Sequence, residues 1–313
     1  MKGQTTNKQI QPKEWVEHTE KLFARHEEST FEIVDIIPKN TEILDSVITA
    51  PEIGQEIDRL KNKKSPGPDG VCSQLLKKGK QFLMVFLLTL FNGILNVGYY
   101  PTIWTEALVF MLFKKGNAAD TNNYRSISLL NIISKVFTSV LQKRLYKWCS
   151  VHNLLSENQF GFRPSRSTTD CIFIHNSIIQ YHLSRKRKKL YVCYIDFSKA
   201  FDCVSWDILW YKLERLGIPR DSKFLGILKA IYNEVSCRII TPWGLTSKIQ
   251  LFRGVRQGCI LSPLLFTLFI DDIKEWLSGE GLHEFCFEDG SPLTHLLFAD
   301  DLALFSQTIV GLQ

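Results

Sequence analysis

A chain of 313 residues is long enough for one large domain or two modest ones with a real core. Its 45% hydrophobic and 22% charged residues are globular proportions and exclude a disordered or fibrous chain. The net charge of +6, from 38 Lys and Arg against 32 Asp and Glu, permits a polyanionic partner without demanding one. No two of the eight cysteines lie closer than ten positions, so there is no Cys-x-x-Cys zinc spacing, and reduced thiols of an intracellular protein are expected. Met1 to Asn7 lacks the apolar core of a secretory signal, so the nucleus or cytoplasm is the expected location.

Residues 1–50 are polar and read as an extension or linker. Pro51 opens a helix to about Leu60, with Ile53, Ile57 and Leu60 on one face. The Pro- and Gly-dense run from Lys61 to Val71 is a loop whose lysines could approach a phosphate backbone. Phe82 to Val97 is apolar but interrupted by Asn92 and Gly93 and short for a membrane span, so a buried helix and no membrane partner are expected. Thr105 to Phe113 and Asn123 to Leu130 read as strands, with Lys114 and Lys115 after the first and Arg125 near the start of the second. A helix spans about Asn131 to Trp148. Gln159 to Ser167 is irregular, basic and aromatic, a combination that suits single-stranded nucleic acid. A helix from Ser167 runs toward the basic stretch Arg185 to Lys189. Leu190 to Phe197 is a buried strand. Helices capped by Ser205 and Asp221, two short strands near 236–241 and 247–251, and a helix from Ser262 to about Leu277 follow. Hairpins and helices alternate without a βαβ repeat, so the fold class is α+β.

His295 to Phe305 sets two adjacent carboxylates, Asp300 and Asp301, between two apolar runs, the pattern of a hairpin with the acidic pair at its turn. Asp196 is the sole charge of the buried strand at 190–197 and stands at its end. Side chains alternate along extended backbone, so one of Asp300 and Asp301 faces Asp196. Converging carboxylates form a hard-cation site, most often for Mg²⁺. Two such ions about 4 Å apart are the clamp used in nucleotidyl transfer.

Tyr194-Ile195-Asp196-Phe197-Ser198-Lys199-Ala200-Phe201-Asp202 resembles motif A of reverse transcriptases. Arg253 to Pro263, with Gln257 and Gly258 at its centre, resembles motif B. Phe298-Ala299-Asp300-Asp301 resembles motif C in the form found in non-LTR (LINE-type) retrotransposons. Ser65 to Gly70, Asn123 to Ser128 and Phe160 to Ser167 match upstream motifs of the same family, in order. The resemblance covers about residues 50–313. It implies a right-hand polymerase with fingers over 51–190 and an incomplete palm over 191–313, built on an antiparallel sheet with helices, without a thumb.

The resemblance also implies roles. Asp196, Asp300 and Asp301 would be catalytic and, with the backbone carbonyl of Phe197, would hold two Mg²⁺ ions, or Mn²⁺ in their place. Lys114, or Lys115 in its place, and Arg125 would neutralise the incoming nucleotide's phosphates. Gln257 and Gly258 would line the nucleotide pocket, and the Phe201 ring would exclude a ribose 2′-hydroxyl. Arg163 and Arg166 would contact the template. The implied partners are an RNA template, a DNA primer and deoxynucleotides. The chain ends at Gln313, and the family continues with a motif D, a primer-gripping hairpin and a helical thumb, so an inactive or partial chain is expected. An RNA-dependent RNA polymerase and a non-catalytic nucleic-acid-binding remnant are the alternatives. Phe201 opposes the first.

Overall fold

The computed structural model describes residues 9–25, 37–184, 189–273, 275, 277, 285–286 and 292–310. Its helices are α1 (Pro12–Leu22), α2 (Glu42–Asp45), α3 (Ala50–Arg59), α4 (Ser73–Lys78), α5 (Lys80–Val97), α6 (Ile132–Val151), α7 (Thr168–Leu183), α8 (Trp206–Arg215), α9 (Lys223–Ile231) and α10 (Ser262–Ile270). Its strands are β1 (Glu106–Phe113), β2 (Tyr124–Leu129), β3 (Tyr191–Asp196), β4 (Ser236–Thr241), β5 (Gly244–Leu245), β6 (Ile249–Gln250), β7 (Phe285–Cys286), β8 (Pro292–Leu293), β9 (His295–Phe298) and β10 (Asp301–Ser306). The fold is α+β. Two compact units interleave along the chain, one from residues 1–151 and 201–262, the other from 152–200 and 263–313.

The first unit carries a sheet in the order β2-β1-β4-β5, with β6 beside β4. β1 pairs antiparallel with β2, placing Leu112 opposite Arg125, and parallel with β4, placing Glu106 opposite Ser236. This sheet is therefore mixed. The long connection between β1 and β4 is what allows parallel pairing. Helices pack through fully buried Leu44, Ile53, Ile57, Phe91, Phe137, Trp148 and Phe224. α3 starts with a capping box in which Thr49 and Glu52 satisfy each other's backbone, and Arg144 of α6 bonds the same Glu52 at 2.7 Å.

Three expectations are corrected in this unit. Residues 12–22 and 42–45 are helical and bury Trp15 and Leu44, so this part of the chain is not a bare linker. α5 is buried on one face only. Leu87, Phe91, Ile94 and Leu95 point inward, while Phe82, Val85 and Phe86 are exposed. α5 is long and apolar enough to cross a membrane by length and composition alone. Within α5 the Asn92 amide bonds both the N–H and the carbonyl of Ile48. Finally, Ser222 rather than Asp221 caps α9, its hydroxyl accepting the Leu225 N–H.

The second unit is built on an antiparallel sheet in the order β3-β10-β9. α7 lies on one face through Cys171, Ile174, Ile178 and Tyr181, which meet Phe160, Leu296 and Phe305. Ser167 and Asp170 form the capping box that starts α7. Of the basic run at 185–189, residues 185–188 lie outside the described residues.

Candidate active site

Phe298 of β9 pairs with Asp301 of β10, leaving Ala299 and Asp300 as a two-residue hairpin turn. On its other side β10 pairs with β3, and here Asp301 stands opposite Asp196. Directly opposed residues of antiparallel strands project from the same face with Cβ atoms about 5 Å apart. Alternation left open which acid of the pair faces Asp196; the register answers Asp301. Asp196 and Asp301 are exposed and Asp300 is half-buried in the turn. Burial first, then repulsion from Asp300 and from Asp196, raises the Asp301 carboxyl above the ordinary range. Both of the other carboxylates are thus felt by Asp301. Among the described residues, no three His, Cys, Asp or Glu side chains are gathered closely enough to enclose a metal ion. Phe197 follows β3 directly and is half-buried. An open cavity of about 400 Å³ adjoins Asp196 and Asp301, walled by His175, Tyr194, Phe298 and Cys171.

Two side chains that the sequence did not single out hold site residues in place. In the second unit, buried Gln159 bonds the backbone of the Ala299 turn. In the first unit, buried Asp202 accepts a 2.9 Å bond from Gln257 Nε2. Both lie inside recognisable motifs, but each partner is more than 50 positions away, beyond any local pattern.

The nucleotide-contact candidates belong to the first unit. Lys114 follows β1, and its N–H donates to the Asn123 carbonyl at 2.9 Å, which brings it to the Arg125 end of the β1–β2 hairpin. Both side chains are exposed, and neither is ion-paired among the described residues. Phe201 sits half-buried in a short 3₁₀ turn, Ala200–Cys203, whose backbone is knitted to the 254–255 segment. The Val255 N–H donates to the Phe201 carbonyl at 2.8 Å, and the Gly254 N–H to the Val204 carbonyl at 2.7 Å. Gly258 has φ +129°, and a Cβ there would lie 2.4 Å from the Ser128 carbonyl oxygen. The close approach that demands glycine is therefore to the chain's own β2 backbone. The same contact carries a 2.7 Å bond from the Ser128 N–H to the Gln257 carbonyl.

Arg163 and Arg166, in the second unit, are turned inward. Both pair with Glu157, both donate to loop carbonyls, and Arg166 lies over the Phe160 ring at 5.0 Å. Their charge is partly neutralised within their own loop, which weakens their candidacy as template contacts.

Residues 113–313 match the family described as "Reverse transcriptase (RNA-dependent DNA polymerase)". The chain is 27% identical over 305 residues to the "RNA-directed DNA polymerase from mobile element jockey" of Drosophila funebris, covering 92% of this chain and 32% of that protein. It is 31% identical over 229 residues to the "Probable RNA-directed DNA polymerase from transposon BS" of Drosophila melanogaster, covering 72% and 25%. It is 28% identical over 253 residues to the "Retrovirus-related Pol polyprotein from type-1 retrotransposable element R2" of Popillia japonica, covering 79% and 33%. The chain thus spans a quarter to a third of the length of these relatives. It belongs to the reverse transcriptase family, in the branch of the non-LTR retrotransposons.

Proposed function

We propose that this chain carries the nucleotide-adding centre of an RNA-directed DNA polymerase, joining deoxynucleotides to a DNA primer on an RNA template. The observation that carries the reading is Asp301 opposite Asp196 on one sheet face, with Asp300 at the adjoining turn. Oxygen donors of this kind fit a hard divalent cation, and the Asp301 carboxyl, raised by burial first and then by repulsion from Asp300 and Asp196, is one whose charged form a cation would favour. Asp196, Asp300, Asp301 and the Phe197 carbonyl would hold Mg²⁺ or Mn²⁺, which when bound stabilises charge on the attacking and leaving oxygens. Lys114 and Arg125 supply positive charge to the triphosphate. Gln257, oriented by Asp202, and Phe201 shape the pocket for base and sugar. Residues 51–190 then act as fingers and 191–313 as palm. Among the described residues, Cys72, Cys171, Cys193, Cys237 and Cys259 form no disulfide, which suits an intracellular site of action.

The test is single-nucleotide addition by the full chain to an annealed RNA template and DNA primer with Mg²⁺, beside Asp196→Asn and Asp300→Asn. Addition that both substitutions abolish supports the reading. Addition that survives either substitution overturns it.

A further inference from the structure

Ala299 holds φ +60°, left-handed backbone that a residue with a Cβ enters only under strain. It is the first residue of the carboxylate turn, a position where glycine would be free of strain. Something must hold an alanine there. Gln159 is fully buried, and its amide meets the turn on both sides. Oε1 accepts the Ala299 N–H at 3.1 Å, and Nε2 donates to the Ala299 carbonyl at a longer 3.4 Å. Oε1 also accepts the Gly161 N–H at 2.8 Å, which fixes the side chain to its own loop. The loop backbone is tied to β9 beside the turn. The Phe160 N–H donates to the Leu297 carbonyl at 2.8 Å, and the Leu297 N–H to the Asn158 carbonyl at 2.9 Å. Gly161 completes the fit, because a Cβ there would lie 2.2 Å from the Ala299 nitrogen.

The geometry points to Gln159 as a positioning residue for the carboxylate turn: its amide pins the peptide groups of Ala299 and so fixes where Asp300 and Asp301 stand. The consequence for metal rests on the proposed function above. A side chain with no contact to the ion but holding its ligands is the kind whose loss weakens metal binding by about ten- to a hundredfold. Gln159 is fully buried and both of its amide atoms bond the turn, so template contact is not its task.

The experiment uses the full chain and Mn²⁺ alone. Mn²⁺ affinity is read by electron paramagnetic resonance, and amide hydrogen exchange is read at Ala299 and, as a remote control, in β1. Gln159→Met keeps the volume and removes all three bonds. The expected result is faster exchange at Ala299 with β1 unchanged, and Mn²⁺ binding weakened at least about tenfold. If Gln159→Met does not fold, Gln159→Asn retains the amide but is one methylene short, and the same two readings are expected in milder form. Unchanged Ala299 exchange and unchanged Mn²⁺ affinity in a folded variant overturn the proposal. If the unsubstituted chain shows no Asp196-dependent Mn²⁺ binding, the metal reading fails by itself. The exchange at Ala299 then decides the clamp: acceleration upholds it and no change refutes it.

Discussion

Asp301 stands directly opposite Asp196 across the β3–β10 ladder, so one sheet face carries two carboxylates in register. Like charges so placed oppose the pairing of their strands by a few tenths of a kcal/mol to about 1 kcal/mol. Nothing in strand stability favours this pair, which is why it reads as a site. Asp301→Asn should therefore stabilise the metal-free chain, by about 0.5 kcal/mol, in urea unfolding with a chelator present. Added salt should shrink the difference, because both groups are exposed. A destabilised variant would mean that the two charges do not oppose each other.

Gly258 gives a sharper stability test. Its φ of +129° is strained for any side chain, and a Cβ would collide with the Ser128 carbonyl oxygen, which is backbone and cannot swing aside. Gly258→Ala should cost about 2–3 kcal/mol, read as a lower urea midpoint with unchanged slope. A cost below about 0.5 kcal/mol would show that the contact between β2 and the 257–258 segment is loose in solution.

The existence of strand β3, the β9–β10 hairpin, its acidic turn and the start of α7 at Ser167 were legible before the structure, because each depends on a local period or a local hydrogen bond, but β3 is half-buried with Tyr194 and Asp196 exposed, not the buried strand expected from its apolar run. The choice between Asp300 and Asp301 as the residue facing Asp196 was not legible. Alternation gives parity, and only the register between strands gives phase. The parallel pairing of β1 with β4 joins segments more than 100 residues apart, and no sequence window contains both. The exposed side of α5 escaped for another reason. Apolar composition says that a helix can be buried, and the neighbours decide how much of it is. Gln159 looked like a loop polar residue until its partner Ala299, 140 positions away, was in view.

Asp271 provides a pH prediction. It follows α10, and the Ser156 N–H donates to its two carboxyl oxygens at 3.3 and 3.2 Å. Burial pushes its pKa up to about 6, against the Ser156 bond and Arg163, with Asp272 and Glu275 adding to the rise. The folded value lies above the unfolded value near 4, so the folded state binds more protons between them. Its contribution to stability is fully present below about pH 4 and is lost as pH rises through about 6. Asp271→Asn can still accept the Ser156 N–H and carries no charge. It should be more stable than the natural chain at pH 7, by on the order of 2 kcal/mol, and should lose that advantage toward pH 4. Parallel unfolding curves for the two proteins across that range would contradict the assignment.

The last prediction concerns two pairs of cations, one expected at the incoming nucleotide and the other at the template. Lys114 and Arg125 share one end of the β1–β2 hairpin, exposed and without ion pairs among the described residues. Arg163 and Arg166 are committed to Glu157 and to loop carbonyls. A cation already satisfied must break those bonds before it can serve a phosphate, whereas a solvated one exchanges only water. Hydrogen bonds to charged groups contribute about 1.5–3 kcal/mol, so losing either Lys114 or Arg125 should weaken binding of a deoxynucleoside triphosphate by about tenfold or more. Arg163→Ala and Arg166→Ala should leave triphosphate affinity unchanged. For RNA binding, their loss should change the slope of log affinity against log salt by less than the step of about one expected for a true phosphate contact. They should instead lower thermal stability, as the loop that carries Gln159 loses its ion pairs. Titration calorimetry with a triphosphate, RNA binding at several salt concentrations and thermal unfolding of the four single variants check all of this together. Triphosphate binding that depends on Arg163 or Arg166 and not on Lys114 or Arg125 would reverse the assignment of the two pairs.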